Sequence, residues 1–543
     1  MWSRWRAEIA AGLSAAALGV VYLLLPRMGS DLAAQVARAG FFADHGYLPI
    51  DLRWYAGVDQ LGYSLLSQPV MAAIGVRATG VVALVAAAIA LAALLRRSGA
   101  RRPLLGALSG AVCIAGNLLS GRVTYGLGVL FGVAALLALT YRRLRWAAII
   151  AALLASATSP VAGLFLGVAG VALLASRRIS DGLLVAVPAA IPLALSAVLF
   201  GDGGWMNISH QDALRAIVTS LVVAALVPWR PVRVAGLLSA AGVLASALIH
   251  TPVGLNATRL VVMFALPVLA AHAAVPRLRR AAAADPAPSQ PGPWWQAVAL
   301  AALLLAVCWW QPPVVVADIR DIGNPTADAA YFAPLRDRLA QERMIGRLEI
   351  PPTRDYWEAA YLGDIPLARG WLRQADIDRN PVFFTTVPGA SGTGVALTAE
   401  SYQAWLLEQA VQFVAVPSAE LAWPGRAEAA LIATGLPYLN PIWSDAHWRL
   451  YSVLFPEPIV APPATLVSHT AAALTFDAPA GGDVAIRVRY YRWLKATGGA
   501  RVVAIGDWTL VRTPAPGRYT LTSSGQVSRT RSIAARERRV IRR

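Results

Sequence analysis

Four carboxylates and one imidazole lie in a short polar stretch of an otherwise apolar N-terminal half, and three of the carboxylates are candidates for chemistry. The stretch runs from Gly29 to Tyr63 and contains Asp31, His45, Asp51 and Asp59 among aromatic residues. A carboxylate at the edge of an apolar environment is partly desolvated, which raises its proton affinity and suits it to act as a general base. We therefore predict a catalytic site in this stretch, with Asp31 as the candidate base.

Asp31 also has a structural interpretation. Ser30 and Asp31 precede an Ala-rich run with helical character. Ser and Asp are favoured N-cap residues because their side-chain oxygens accept hydrogen bonds from the first backbone N–H groups of a helix. The sequence leaves both roles of Asp31 open.

The other polar residues of the stretch are candidates for binding. Asp51 and Asp59 are expected either to orient the substrate that accepts the transferred group or to hold a divalent cation together with His45. Their spacing matches no standard ligand motif, and carboxylates in a loop are usually only solvated. Whether a cation is required as a cofactor stays undetermined.

Aromatic residues of the stretch have two interpretations. Trp54, Tyr55 and Tyr63 offer flat faces of the kind on which sugars stack. Aromatic residues close to the end of an apolar segment are equally expected as anchors at the membrane interface.

Three basic residues elsewhere are candidates for substrate binding. Arg259 begins an apolar segment, where an unpaired guanidinium is costly unless it meets an anion such as a phosphate. Arg122 has the same arrangement, and the other interpretation of both is snorkelling toward lipid headgroups. His210, in the polar loop 201–213, is a further candidate to line a substrate cavity together with Asp31 and Arg259.

Composition indicates a polytopic membrane protein. Hydrophobic residues make up 57% of the chain and charged residues 14%. Repeated apolar runs of about 17 to 20 residues are long enough to cross the hydrocarbon core of a bilayer. We predict about eleven spans, at residues 8–26, 78–95, 103–120, 122–140, 146–158, 160–176, 182–200, 214–229, 234–250, 259–275 and 294–311.

Arginine placement predicts the orientation. Clusters of arginines flank alternate ends of the spans and all fall on one side, which the positive-inside rule makes cytoplasmic. The N-terminus is therefore expected in the cytoplasm of a plasma (inner) membrane protein, and everything after Trp310 outside. Because the net charge of +18 comes from these clusters and a basic tail, we expect no nucleic-acid partner.

Composition changes after the last span. We predict a transmembrane domain at 1–311 with a first extracytoplasmic loop at 28–63. An extracytoplasmic α/β region follows at 312–455, then a β-rich, sandwich-like region at 456–523, where Val484, Ile486 and Val488 alternate with polar residues. The tail 524–543 is basic and expected to be disordered, resting on anionic lipid.

Several short motifs resemble the GT-C superfamily of membrane glycosyltransferases. They are Gly29-Ser30-Asp31-Leu32, Asp51-Leu52-Arg53-Trp54-Tyr55, Gly62-Tyr63-Ser64, the break at Ser159-Pro160, and residues 251–260. The resemblance, to uncharacterised actinobacterial-type members, covers most of the membrane region. It implies an inverting enzyme that moves a sugar from a polyprenyl-phosphate donor to a cell-envelope glycan or lipid acceptor outside the membrane. Many members carry adjacent acidic residues, whereas Leu32 follows Asp31 here.

Two other functions stay open. A transporter or flippase for lipid-linked sugars would have a similar composition, but major-facilitator carriers have two similar halves of about six spans, and no half-repeat is evident. A catalytically inactive scaffold of the same architecture would instead bind polysaccharide through the external domain.

Overall fold

The computed structural model describes residues 5–201, 204–274 and 294–523. The predicted basic tail 524–543 and the arginines of the segment 277–280 lie outside these ranges. Nothing in the structure therefore tests the predictions made for them.

Helices form most of the chain up to Trp310, because Ala, Leu, Val and Gly runs there lack charges that would break an apolar segment. The helices are α1 (Arg6–Leu24), α2 (Leu32–His45), α3 (Ser67–Ile74), α4 (Val76–Arg97), α5 (Pro103–Leu119), α6 (Val123–Ala138), α7 (Ala147–Thr158), α8 (Pro160–Ala175), α9 (Ile179–Phe200), α10 (His210–Leu226), α11 (Arg230–Leu248), α12 (Arg259–His272) and α13 (Trp294–Trp310).

Each predicted span coincides with one of these helices. Five described segments have the length and apolar composition that crossing a membrane requires: α1, α4, α9, α11, and Gly254–His272, which joins a 3₁₀ turn to α12. The apolar helices α5, α6, α7, α8 and α13 are shorter, with 10–17 residues. The predicted count of about eleven spans is therefore not confirmed.

Small residues let the helices approach closely. A Cβ added at Gly170 of α8 would lie 2.7 Å from the Cβ of Ala186 in α9, too close for two carbon atoms. Contacts of this kind are typical of helices packed in membranes, where backbone approach replaces the hydrophobic effect as the source of packing. The break predicted at Ser159-Pro160 is the boundary between α7 and α8, where the Ser159 hydroxyl accepts from the Ala162 N–H.

The first loop has more regular structure than its polar sequence suggests. It contains helix α2, a two-stranded ribbon of β1 (Ile50–Asp51) and β2 (Val58–Asp59), and the short helix α3. Asp31 occupies the N-cap position of α2 but makes no side-chain capping hydrogen bond. The helix predicted after Asp31 is therefore present, and the capping hydrogen bond is not.

Residues 312–523 are called the external region after their predicted location, and the first part of this region is a mixed sheet with short helices around it. Its helices are α14 (Val316–Arg320), α15 (Ala333–Leu339), α16 (Glu358–Tyr361), α17 (Arg373–Arg379), α18 (Ala399–Glu408) and α19 (Trp423–Ala433). Its strands are β3 (Arg347–Glu349), β4 (Val411–Pro417), β5 (Leu439–Ser444) and β6 (Trp448–Val453), in the order β3-β4-β6-β5. Strands β3 and β4 are parallel, and the other pairs are antiparallel.

The second part consists of two antiparallel sheets. Its strands are β7 (Thr465–His469), β8 (Ala473–Ala478), β9 (Gly482–Arg489), β10 (Leu494–Ala496), β11 (Arg501–Ile505), β12 (Trp508–Thr513) and β13 (Gly517–Ser523). They are ordered β10-β13-β8-β7 and β11-β12-β9. Leu474 and Phe476 of one sheet share a core with Ile486 and Val511 of the other, so alternating side chains face inward as the period-two pattern predicts.

The first loop and the external region share one hydrophobic core. Leu32, Trp54 and Tyr55 from the loop pack in the same buried cluster as Trp357 and Trp448 from the external region. The external region therefore covers the first loop, and this contact holds the loop in place.

Candidate active site

The Asp31 carboxylate contacts two arginines from distant parts of the chain. Its Oδ2 accepts from Nε of Arg122 at 3.1 Å and from Nη2 of Arg259 at 3.3 Å. The three side chains are 30%, 21% and 18% exposed, respectively. Among the residues that the structure describes, no hydrogen-bond donor contacts Oδ1, so this oxygen is available to a ligand.

Helix termini explain why the two arginines need a carboxylate. Arg122 is the N-cap residue of α6, and Arg259 is the first residue of α12. The positive end of the helix dipole lies at each N-terminus and disfavours a cation there. Asp31 supplies the compensating negative charge to both.

Close backbone contact holds Asp31 in place. The Asp31 N–H donates to the carbonyl of Ser120 at 3.0 Å. Gly29 has a φ of +105° and Gly121 a φ of +75°, and a Cβ at either would lie within 2.5 Å of the opposite backbone. Glycine is required at both positions, because other residues rarely adopt such φ values and would clash.

A wall of hydrogen-bonded side chains, formed by Gln35, Tyr63 and Thr124, lies beside the Asp31 carboxylate. Gln35, one turn after Asp31 on α2, donates from Nε2 to the Tyr63 hydroxyl at 2.9 Å. Its Oε1 accepts from the Thr124 hydroxyl at 2.6 Å, which ties the wall to α6. Burial raises the pKa of Tyr63, and the negative charge of Asp31 adds to the rise. Tyr63 therefore presents a neutral hydroxyl on the side of Asp31, and the stacking of a sugar on its ring stays a prediction.

A cation–π stack extends this wall to a residue of the external region. The guanidinium of Arg38 lies 4.2 Å from the ring centre of Tyr63 and 4.8 Å from that of Trp371. The rings of Tyr63 and Trp371 meet edge to face, with centroids 5.3 Å apart. Trp371 thus brings the external region to the site.

Sequence reasoning missed Gln35, Arg38 and Trp371. Asp31, Gln35 and Arg38 have the i, i+4, i+7 spacing of one helix face, which is a usable signal once α2 is recognised as a helix. No sequence signal indicates Trp371, because only the tertiary fold brings it beside the first loop.

Asp51 and Asp59 have structural partners. Asp51 is fully buried and forms an ion pair with Arg53 at 2.7 Å, and Gln60 donates to it at 3.0 Å. Asp59 accepts from the N–H groups of Leu61 and Gly62 and shapes the turn after β2. These contacts do not match the predicted role in acceptor binding.

The predicted cation ligands do not come together. Within the described residues, no group of three or more His, Cys, Asp or Glu side chains is arranged to hold a metal ion. His45, Asp51 and Asp59 are thus not assembled as a ligand set. Burial lowers the pKa of His45, which stacks at an angle against Phe41, with ring centroids 5.0 Å apart.

Three further candidates lie away from Asp31 or inside the core. Trp54 and Tyr55 are each only 1% exposed and pack in the core shared by the first loop and the external region, so neither presents a face to a sugar or to lipid. His210 is exposed at the start of α10, and its backbone N–H donates to the carbonyl of Gly389. In the described part of the chain, His210 makes no hydrogen bond or ion pair with Asp31.

A large apolar cavity begins next to the arginines. It has a volume of about 590 Å³ and lies among α4, α6, α8 and α12. Tyr125 lines the end of the cavity near Arg259, and its ring centre lies 5.5 Å from the Arg259 guanidinium carbon. Arg97, Thr140 and Arg178 line the opposite end. From Tyr125 to Leu136, α6 lines the cavity over about 17 Å at 1.5 Å per residue.

No protein-family model and no curated protein match the sequence. Among solved structures, the arabinofuranosyltransferase AftD from Mycobacteria is 17% identical, with a TM-score of 0.42, over 88% of this chain and 41% of that chain. A mutant form of AftD aligns at 13% identity and a TM-score of 0.42, over 96% of this chain and 60% of that one. ArnT from Cupriavidus metallidurans, in the apo state, aligns at 14% identity and a TM-score of 0.37, over 80% of this chain and 96% of that one.

AftD and ArnT are GT-C superfamily glycosyltransferases. This chain is similar to them. It spans less than two thirds of the length of either AftD chain. At such low identities and TM-scores, the similarity assigns no activity to the chain.

Proposed function

We propose that the chain is an integral-membrane glycosyltransferase of the GT-C type. It moves a sugar from a polyprenyl-phosphate donor to a cell-envelope glycan or lipid acceptor on the extracytoplasmic side. The observation that carries the proposal is the contact of Asp31 with Arg122 and Arg259 at the outer end of an apolar cavity.

Charge favours a phosphate ligand. Within ion-pair distance, one carboxylate faces two guanidinium groups, so these three side chains together carry one excess positive charge. The phosphodiester of a polyprenyl-phosphate sugar carries one negative charge, and Arg binds phosphate well through charge-assisted hydrogen bonds. Binding of the donor between Arg122 and Arg259 would balance the site.

The reaction then needs one base and one stabilised leaving group. Asp31 accepts the proton of the acceptor hydroxyl on Oδ1, and the hydroxyl oxygen forms a bond to the anomeric carbon. The bond from that carbon to the phosphate oxygen breaks, and its electron pair leaves with the polyprenyl phosphate. Arg122 and Arg259 stabilise the charge that develops there. Attack opposite to the leaving group inverts the anomeric configuration.

The cavity suits the lipid part of such a donor. Its walls carry mainly Leu, Val, Phe and Ala side chains, and it extends from the arginines into the helix bundle. Burial of apolar chain contributes about 25 cal/mol for each Å² removed from water. A polyprenyl chain in this cavity would therefore anchor the donor while its phosphate meets the arginines.

The remaining parts of the proposal concern topology. The bundle is proposed to have about eleven spans, with a cytoplasmic N-terminus and with residues 312–455 and 456–523 as two extracytoplasmic regions. The ion pair between Arg96 and Glu8 supports this arrangement, since it lies at the helix ends opposite to Asp31, where cytoplasmic arginines are expected.

Direct assay of the purified full chain tests the proposal. The protein would be incubated with a panel of radiolabelled polyprenyl-phosphate sugars and cell-envelope acceptors, and labelled product would be measured. Transfer by the wild type that disappears in Asp31→Asn supports the proposal. Absence of transfer with every donor, combined with movement of the same lipids across a proteoliposome membrane, would instead favour a flippase.

A further inference from the structure

Asp318 is a buried carboxylate that joins the external region to both sides of the site. It lies in α14, the first helix after α13, and is only 3% exposed. Its Oδ1 accepts from the backbone N–H of Ser30 at 3.1 Å, and its Oδ2 accepts from the hydroxyl of Ser120. Neither Asp318 nor Ser120 is among the residues that the sequence indicates as functional.

The two bonded residues are neighbours of the groups proposed to act. Ser30 directly precedes Asp31, and Ser120 lies two residues before Arg122. A third bond, from the Asp31 N–H to the Ser120 carbonyl, joins the two segments to each other. Asp318 therefore holds the two backbone segments at the spacing that brings Asp31 within 3.1 Å of Arg122.

Burial makes this arrangement hard to replace. A carboxylate taken from water without partners is costly, so a buried one is kept where its oxygens are hydrogen-bonded. Burial also raises the pKa of Asp318, while its bonds to Ser120 and Ser30 and the charge of Arg122 act in the opposite direction. The two hydrogen bonds thus pay part of the cost of burying Asp318.

We propose that Asp318 is a positioning residue through which the external region sets the geometry of Asp31 and Arg122. It does not touch the substrate. This inference rests on the proposed glycosyltransferase function and adds a structural requirement to it: the external region must be docked for the base and the phosphate-binding arginine to be aligned.

The hydrogen-bond pattern predicts different effects for two substitutions. Asp318→Ala removes both acceptors. Asp318→Asn keeps an oxygen for the Ser30 N–H and offers an amide N–H to the Ser120 hydroxyl, which can also accept. Ser120→Ala removes one bond only and leaves the Ser30 bond in place, so it tests the proposal even if Asp318→Ala does not fold.

Kinetics distinguish positioning from general stability. Misplacement of reacting groups by about 1 Å costs on the order of 100-fold in rate. We expect Asp318→Ala to lower kcat per folded molecule by about that factor, Ser120→Ala by about tenfold, and Asp318→Asn to restore kcat to within about tenfold of the wild type. Unchanged kcat in folded Asp318→Ala or in Ser120→Ala would overturn the proposal.

A second measurement does not depend on turnover. Hydrogen exchange of the full chain in detergent reports the Ser30 and Asp31 amides directly. We expect faster exchange of residues 29–32 in Asp318→Ala, and near wild-type exchange in Asp318→Asn. Asp328→Ala is the matched control, because Asp328 is an exposed carboxylate of the same region whose side chain, among the described residues, accepts only from the nearby Ala330 N–H.

The two readouts separate the two proposals. If the wild type uses no donor of the panel, the proposed function fails, and exchange still decides whether Asp318 holds the Asp31 segment. Equal exchange of residues 29–32 in the wild type, Asp318→Ala and Asp328→Ala would overturn the positioning role, whatever the activity of the wild type.

Discussion

Arg259 Nη2 lies 3.3 Å from Asp31 Oδ2, although 228 positions separate the two residues in the sequence. Arg122 contacts the same oxygen from a third part of the chain. The N-terminal ends of α2, α6 and α12 therefore converge on one carboxylate. This convergence supplies the two groups of opposite charge that the proposed chemistry requires. They are a base for the acceptor hydroxyl and a positive charge for the leaving phosphate.

The first prediction separates these two requirements. Asp31→Asn keeps the shape of the side chain but cannot accept a proton, so transfer should be lost while donor binding largely remains. Arg259→Ala should lower donor affinity together with rate, by about 2 to 4 kcal/mol in total, because a charge-assisted contact is lost in a partly desolvated site. Donor binding and single-turnover transfer measure both effects. A folded Asp31→Asn protein with near-normal transfer would refute the assignment of the base.

The second prediction concerns Asp51, whose carboxylate is fully buried against Arg53. Removal of one partner of a buried ion pair costs about 3 to 5 kcal/mol, because the other charge is left uncompensated. Asp51→Ala should therefore lower the Tm strongly and leave kcat per folded molecule unchanged. Asp483→Ala is the control, since Asp483 pairs with Arg512 at an exposed site, where such pairs contribute at most about 1 kcal/mol. If Asp51→Ala lost turnover while its Tm stayed normal, Asp51 would be a residue of the active site and the prediction would be wrong.

The sequence predicted the positions of the helices well and the partners of the polar residues poorly. Long apolar segments are visible in composition alone, and β9 follows the alternation predicted for Val484, Ile486 and Val488. Asp31, Arg122 and Arg259 were predicted one by one, from the ends of spans. Their contact was not, because it depends on how three helix ends meet in the fold.

Burial explains the main differences. Trp54 and Tyr55 were expected at a sugar or lipid surface, and the external region buries them instead. The sequence from Ala327 to Arg347 has helical spacing, whereas the helix there is short, and Arg347 begins β3, where it pairs with Val411 of β4. Both outcomes follow from contacts between residues far apart in the sequence, which local periodicity does not contain.

The third prediction concerns orientation. Ala504 is exposed in β11, and Leu144 is exposed in the segment between α6 and α7, beside the arginines expected in the cytoplasm. In intact cells, a membrane-impermeant thiol reagent should label Ala504→Cys, and should label Leu144→Cys only after permeabilisation. The wild type gives the background from Cys113 and Cys308. The reverse labelling pattern would place Asp31 on the cytoplasmic side and exclude the proposed topology.

The fourth prediction concerns pH. Burial raises the pKa of Glu358 from its usual 4.5 to about 7, against the opposing effects of Thr353 and Arg369. Because the folded pKa is the higher one, the contribution of Glu358 to stability is fully present below the unfolded pKa and is lost as pH rises through 7. Glu358→Gln stays neutral and still accepts from Thr353.

The variant should therefore gain Tm relative to the wild type at pH 8 and show little difference at pH 5. Thermal melting of the full chain in detergent at both values tests this expectation. Glu457→Gln serves as the control, because Glu457 is 51% exposed and its replacement should give the same difference at both pH values. A Glu358→Gln difference that does not grow between pH 5 and pH 8 would contradict the prediction.

The last prediction tests whether the apolar cavity holds the lipid of the donor. Gly132 of α6 lines the cavity, and a Cβ added there would meet nothing within 4 Å. Gly132→Leu should fill part of the cavity without disturbing α6, since Leu is a better helix former than Gly. We expect the KM for a long-chain polyprenyl-phosphate donor to rise about tenfold, equivalent to about 1.4 kcal/mol, and the KM for a short-chain analogue to change little.

The matched control is Gly167→Leu. Gly167 lies in α8, and a Cβ there also meets nothing within 4 Å, but it is not among the residues that line the cavity. This variant makes the same chemical change in another helix of the bundle, so it should leave both KM values unchanged. The lipid chain would bind elsewhere if Gly132→Leu raised the KM equally for long and short donors, or if Gly167→Leu gave the same rise. The reason is that filling the cavity weakens the binding only of a ligand that occupies it.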